Sequence, residues 1–122
     1  MIEIEPVPGW RGRVQHGDRM TLTSYEIAAG APDVHEHQHS EEEAWTVLEG
    51  RLAIWVDGKE HLLGPGESAI VGANVRHRVR ALQPSRALVV DCPARHRLPG
   101  TGRTPPSQPA GTVFTSQGDR LP

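Results

Sequence analysis

The stretch His35-Glu36-His37-Gln38-His39-Ser40-Glu41-Glu42-Glu43, followed by Ala44-Trp45-Thr46-Val47-Leu48-Glu49-Gly50, is the most informative run of residues in this chain. Three histidines alternate with other residues, a run of carboxylates follows, and a β-prone apolar segment ends on glycine. In an extended strand alternate side chains share a face. His35, His37 and His39 therefore fall on one side, and Glu43 has the same parity if the strand runs unbroken. Neutral imidazole together with carboxylate suits Zn, Fe, Mn, Ni or Cu. A solvated acidic loop with incidental histidines reads the same way, and the stretch alone leaves both readings open.

Outside this stretch, composition narrows the class. A chain of 122 residues is one domain by length. Thirteen glycines and eleven prolines break it into short apolar runs separated by turns, which favours an all-β domain. The net charge of -2 gives no argument for nucleic acid or for an anionic membrane surface as partner. Cys92 is the only cysteine, so no intrachain disulfide can form, and a reducing cytoplasm is the expected compartment. Its position near a strand end reads as a small buried hydrophobe rather than a nucleophile. No apolar leader and no membrane-spanning run is present in the sequence.

Residues 1–19 read as an irregular arm, or one carrying a short strand, with Trp10 packing on the body or on a partner subunit. His16 lies in a turn and reads as a surface residue. From Met20 to Ala29 the chain alternates as a strand, with Met20, Leu22 and Ser24 on one face and Thr21, Thr23, Tyr25 and Ile27 on the other. Glu43–Glu49, Arg51–Val56, Lys59–Leu63, Ser68–Val71, His77–Leu82 and Arg86–Asp91 are further strands. Asp57-Gly58 is a hairpin signal, and His61 beside it is an ordinary strand residue. Arg76, Arg78 and Arg80 alternate with His77, Val79 and Ala81, and read as a solvated or aggregation-resistant strand face rather than an anion site. Ile54, Val56, Ile70, Val79, Leu88 and Val90 are the expected core.

The barrel body thus spans 20–92, with about eight strands in a sandwich or barrel. Residues 93–122 form a tail with six prolines and four glycines, in which Val113 and Phe114 are the apolar anchors. The chain through Cys92 has nine Lys/Arg against fourteen Asp/Glu, net -5, and the tail has four Arg against one Asp, net +3. A basic tail on an acidic body can fold back across it or cross to a neighbouring subunit. His77 adds a fourth candidate ligand, on a strand far from the first cluster in sequence.

Together these features resemble the single-domain cupins, small jelly-roll β-barrels. The first cupin motif matches His37, His39, Glu43 and Gly50 in spacing. The second matches Gly66, the turn Gly72-Ala73-Asn74, and His77. The likeness covers Met20 to Asp91. Gly72 stands where the family usually has proline, Asn74 where it has glycine, and Ala81 where an asparagine is often found. Gly30 is one residue out of place. Asn74 tolerates the left-handed backbone such a turn needs. A second register, His35 and His37 with Glu41 or Glu42, is disfavoured by the Glu43 to Gly50 spacing.

The resemblance implies a divalent transition metal (Fe, Mn, Zn, Ni or Cu) held by His37, His39, Glu43 and His77, with His35 outside the ligand set. Such a set leaves coordination positions open for substrate. It implies an enzyme acting on a small carbonyl- or hydroxyl-bearing molecule, of the dioxygenase, isomerase, lyase or cyclase type, with catalytic residues unassigned. Glu41, Glu42 and His35 are candidates for a general base, though each reads more readily as a rim residue. Trp45 and Val47 line the pocket or pack in the core. The other class is a non-catalytic cupin that binds a small ligand or serves as an interaction module. The resemblance further implies a homodimer, and the Pro-rich arm and the basic tail are the expected bridges, with Trp10 or Phe114 contacting the other chain.

Overall fold

A computed structural model describes residues 2–36 and 39–96, with residues 35 and 36 described in backbone alone. Among them are ten strands: β1 (Ile2–Ile4), β2 (Trp10–His16), β3 (Thr21–Ile27), β4 (Val34–Glu36), β5 (Glu42–Glu49), β6 (Leu52–Val56), β7 (Lys59–Leu63), β8 (Ser68–Val71), β9 (His77–Ala81) and β10 (Ser85–Cys92). They form a six-stranded antiparallel sheet, β1-β2-β3-β10-β5-β8, and a four-stranded one, β4-β9-β6-β7. The two sheets make an all-β jelly-roll barrel. No helix long and apolar enough to cross a membrane occurs among the described residues.

Period-two burial sets the inner face. β3 buries Thr21, Thr23, Tyr25 and Ile27, and β10 buries Ser85, Ala87, Val89 and Asp91. Three aromatics fill the middle of the core. Trp10 meets Tyr25 edge-on at 5.3 Å between centroids, and Tyr25 stacks with Trp45 at 6.2 Å. Trp10 Nε1 donates to the Pro32 carbonyl at 2.9 Å, so the buried indole keeps a polar partner.

Several expectations change. The N-terminal stretch is no irregular arm: β1 and β2 extend the six-stranded sheet, and Trp10 is fully buried within its own chain. Of the expected core, Ile54 and Val79 are buried and Val56 is partly so. Ile70 is 61% exposed, and Leu88 and Val90 are half-buried on the outer face. β10 is apolar on both faces, so only the inward parity of Ala87, Val89 and Asp91 tells the faces apart. Cys92 follows inward Asp91 and is exposed, not buried. The histidine stretch is not one unbroken strand either: β4 belongs to the four-stranded sheet and β5 to the six-stranded one.

Turns fix the registers that place the site. Asp57 and Gly58 both have positive φ, +49° and +82°, as a two-residue hairpin of the type I′ kind requires. Gly50 turns the chain from β5 to β6 at φ +89°. A Cβ there would lie 2.5 Å from the Pro84 carbonyl oxygen and press on Ser85 Oγ. That hydroxyl accepts from the Arg51 backbone N–H at 3.1 Å. The β5–β6 and β9–β10 turns are thus locked against each other through a position that only glycine fills.

On the outer face of the four-stranded sheet, Asp33 accepts from Arg78 at 3.1 Å and from Arg80 at 2.8 Å. Arg78 lies 3.7 Å over the Trp55 ring. These contacts agree with the structural reading of the arginine row, a charged strand face with its own counter-ion and aromatic support.

Candidate metal centre

β5 and β9 lie in opposite sheets and aim side chains at one point. Glu43 is the second residue of β5, its register fixed between Asp91 of β10 and Val71 of β8. His77 opens β9 and pairs with Glu36 of β4 and Val56 of β6. His39 sits in the crossing between β4 and β5. Its carbonyl accepts from the Asn74 backbone N–H at 2.7 Å, which ties the first histidine segment to the turn before β9. Asn74 makes this contact at φ +62°, the left-handed conformation expected of it.

The ligand atoms of His39, Glu43 and His77 all lie within 4.8 Å of one another, and all three residues are buried. His77 Nε2 is 3.1 Å from Glu43 Oε1, and His39 Nε2 is 3.5 Å from Glu43 Oε2. The two imidazoles meet at right angles, 5.1 Å apart. His39 Nδ1 contacts the Glu41 carbonyl at 3.0 Å, and His77 Nδ1 contacts the Val75 carbonyl at 3.0 Å. A carbonyl only accepts, so each Nδ1 carries a proton, and each Nε2 faces the centre, where the neutral ring presents its lone pair. Two imidazole lone pairs and a carboxylate converging on one spot favour a cation there. Pinning of the distal nitrogen by a backbone carbonyl is the usual support of a histidine ligand. The donors present therefore fit a divalent transition metal.

The carboxylate is held as tightly as the imidazoles. Trp45 Nε1 donates to Glu43 Oε1 at 2.9 Å, and Arg95 Nη1 to Glu43 Oε2 at 3.0 Å. Burial alone pushes the Glu43 carboxyl up. Hydrogen bonding shared with Asp91 and with a protonated His77, together with the charges of that His77 and of Arg95, outweighs burial and holds it well below the usual carboxylate range in the metal-free centre. Arg95 is anchored by its own backbone N–H, which donates to Thr21 Oγ1 at 2.7 Å. His16 Nδ1 lies 2.8 Å from the same hydroxyl, and its ring packs 4.7 Å from that of His96.

His37 lies outside the described residues, as do Val113 and Phe114; of the side chain of His35 nothing is described. Glu41 is half-buried beside His39, with Oε1 3.4 Å from Nδ1, and Glu42 is exposed. Trp45 and Val47 are buried on the inner side of β5. His16 and His61 are exposed. The sequence reading missed Arg95, Asp91 and Thr21. Asp91 carried a signal, a charged residue at inward parity after Ala87 and Val89. Arg95 carried none, since it opens a segment rich in proline and glycine. Thr23, two residues along β3 from Thr21, has a buried hydroxyl without a hydrogen-bond partner among the described residues. Two concavities of about 390 and 520 Å³ share Arg11, Glu26 and Arg86 on the other end of the six-stranded sheet, away from these groups.

A family model described as Cupin domain matches residues 23–91. No curated protein matches the chain by sequence. Among solved structures, KdgF from Halomonas sp. is 20% identical with a TM-score of 0.71, over 79% of this chain and 89% of that one. An RmlC-like cupin from Shewanella frigidimarina is 21% identical with a TM-score of 0.70, over 77% and 85%. TT1209 from Thermus thermophilus is 28% identical with a TM-score of 0.61, over 69% and 85%. The matches at 20% and 21% speak to the fold alone. The family match spans more than half of the sequence, both motif histidines that can be compared point into the barrel, and the chain belongs to the cupin family.

Proposed function

We propose that the chain is a metal-dependent cupin enzyme acting on a small carbonyl- or hydroxyl-bearing organic molecule. The observation that carries this is the convergence of His39 Nε2, Glu43 and His77 Nε2, with each Nδ1 pinned by a backbone carbonyl. His37 joins them as the fourth ligand on the strength of the motif. A metal bound there supplies Lewis acidity, polarising a carbonyl or stabilising an enolate. The chain's own residues fix the ligands: Trp45 and Arg95 orient Glu43, and Thr21 anchors Arg95. Trp45, Tyr25 and Val47 form apolar surface inside the barrel, and the Thr23 hydroxyl adds a polar point on the same inner face. The test is metal analysis of the purified protein, followed by a substrate screen with the metal it carries. Protein that holds no stoichiometric metal after incubation with Fe, Mn, Zn, Ni and Cu salts would rule the reading out.

The homodimer moves from Trp10 to the outer face of the six-stranded sheet. The registers line up Ile70, Ala44, Val90 and Leu22 across β8, β5, β10 and β3. Ile70 at one end of the row is 61% exposed, and Met20, two residues before Leu22 at the other end, is 51% exposed. A second copy covering this row removes apolar surface from water. Sedimentation at micromolar concentration distinguishes dimer from monomer.

A further inference from the structure

Arg95 sets a fixed positive charge against the one carboxylate of the triad. Its side chain is 6% exposed, and Nη1 reaches Glu43 Oε2 at 3.0 Å and lies 4.0 Å from Asp91 Oδ1. The backbone N–H is tied to Thr21, so the guanidinium has little freedom to withdraw. Arginine keeps its charge in proteins. A divalent cation among His39, Glu43 and His77 therefore shares Glu43 with a second cation. Like charges repel strongly where water is excluded, and the hydrogen bond to Oε2 draws electron density from the ligand. Trp45 holds Oε1 independently, so the orientation of Glu43 does not depend on Arg95 alone. We infer that Arg95 is a positioning residue that holds Glu43 in ligand geometry and keeps the centre's affinity for divalent cations below what its ligands alone would give. The inference rests on the reading of these residues as a metal centre.

The test uses the full chain and Zn²⁺ alone, titrated by calorimetry and by competition with a chromophoric chelator. Arg95→Gln removes the charge and leaves a neutral amide two bonds shorter, with Glu43 still held by Trp45, whereas Arg95→Lys keeps the charge and changes the shape. Arg95→Gln is expected to bind Zn²⁺ about tenfold tighter or more, and Arg95→Lys to stay within about threefold of the parent. The Co²⁺ absorption bands should be the same in all of them, since the ligand set is unchanged. Binding by Arg95→Gln that is equal to or weaker than the parent's overturns the inference, as does Arg95→Lys binding as tightly as Arg95→Gln. If Arg95→Gln fails to fold, Arg95→Lys decides alone, and a shift of about tenfold or more in either direction overturns the inference. His77→Ala runs alongside. Equal Zn²⁺ binding by the parent and His77→Ala would sink the metal centre itself. Weakened His77→Ala with unmoved Arg95→Gln sinks only the role of Arg95.

Discussion

Trp45→Phe isolates one hydrogen bond inside the centre. The indole is fully buried, and its Nε1 donates to Glu43 Oε1 at 2.9 Å. Phenylalanine keeps an aromatic ring at the site and deletes the donor. A hydrogen bond to an ionised acceptor contributes about 1.5–3 kcal/mol. The smaller ring leaves a void that costs about 1–2 kcal/mol more. The metal-free variant should therefore lose about 2.5–5 kcal/mol at pH 7, read by urea denaturation. The polar part has its own signature. Glu43 is depressed in the folded state, so its contribution is present above the ordinary glutamate pKa and is lost as pH falls through the lower folded value. Removing the donor raises that folded value toward the ordinary one. The gap between parent and variant due to this bond then closes only below the variant's folded pKa. Carboxyl ¹³C shifts of Glu43, titrated in both proteins, report the move directly. A loss of only about 1–2 kcal/mol, with the Glu43 carboxyl titrating as in the parent, refutes the assignment and leaves Trp45 as packing alone.

Three further outcomes follow from the same geometry. His77→Ala should stay folded, because the apolar core does not include the imidazole, while metal content at a fixed free concentration falls about a hundredfold or more; undiminished metal would show that His77 is no ligand. Gly50→Ala forces a Cβ against Pro84 and Ser85 at positive φ and should cost about 2–4 kcal/mol, and a thermal midpoint within a degree or so of the parent's, at roughly 4–8 °C per kcal/mol, would contradict the close approach. Ile70→Asp puts a charge on the exposed apolar row without touching the core, so the variant should sediment as a folded monomer while the parent sediments as a dimer; identical masses would dismiss this face as the dimer contact.

β3 and the strands from β5 onward were legible because turns bracket them and because β3 alternates, whereas β4 was hidden in a histidine stretch that reads as one strand running into β5. The hairpin at Asp57-Gly58 was legible because only a few residues accept positive φ in succession. Burial was harder to read. In β10 the run Ala87-Leu88-Val89-Val90 is apolar without alternation, and such a run does not tell its faces apart. Assigning Leu88, Val90 and Ile70 to the core followed apolarity, whereas the sheet puts them outside. β1 and β2 were hidden by Pro6, Pro8 and Gly9, which signal a turn but leave the following Trp10–His16 free to pair with β3. His39, Glu43 and His77 could be read from spacing because a barrel brings the β4–β5 crossing and β9 together. Arg95 could not, since its contact depends on where the chain goes after Cys92 and not on any local pattern.

The departures from the second motif also have a physical account. Where the family usually has proline and glycine, this turn has Gly72 and Asn74. What the turn supplies to the site is backbone: the Asn74 N–H held by the His39 carbonyl, and the Val75 carbonyl that fixes the proton of His77 on Nδ1. Asn74 reaches the left-handed conformation at a modest cost, φ +62°, and the N–H it presents is the same one any residue other than proline would present. Side-chain identity at the turn is therefore weakly constrained, while its path is strongly constrained. The same holds at His39, whose Nδ1 is fixed by the Glu41 carbonyl and not by a side chain. Ligand tautomers set by backbone oxygens survive sequence drift that would erase a side-chain support. Glu43 is the exception, because both its oxygens are held by side chains, Trp45 and Arg95. Specific tuning of this centre is thus concentrated at those two residues, and substitutions there should change metal affinity more than any substitution in the turns.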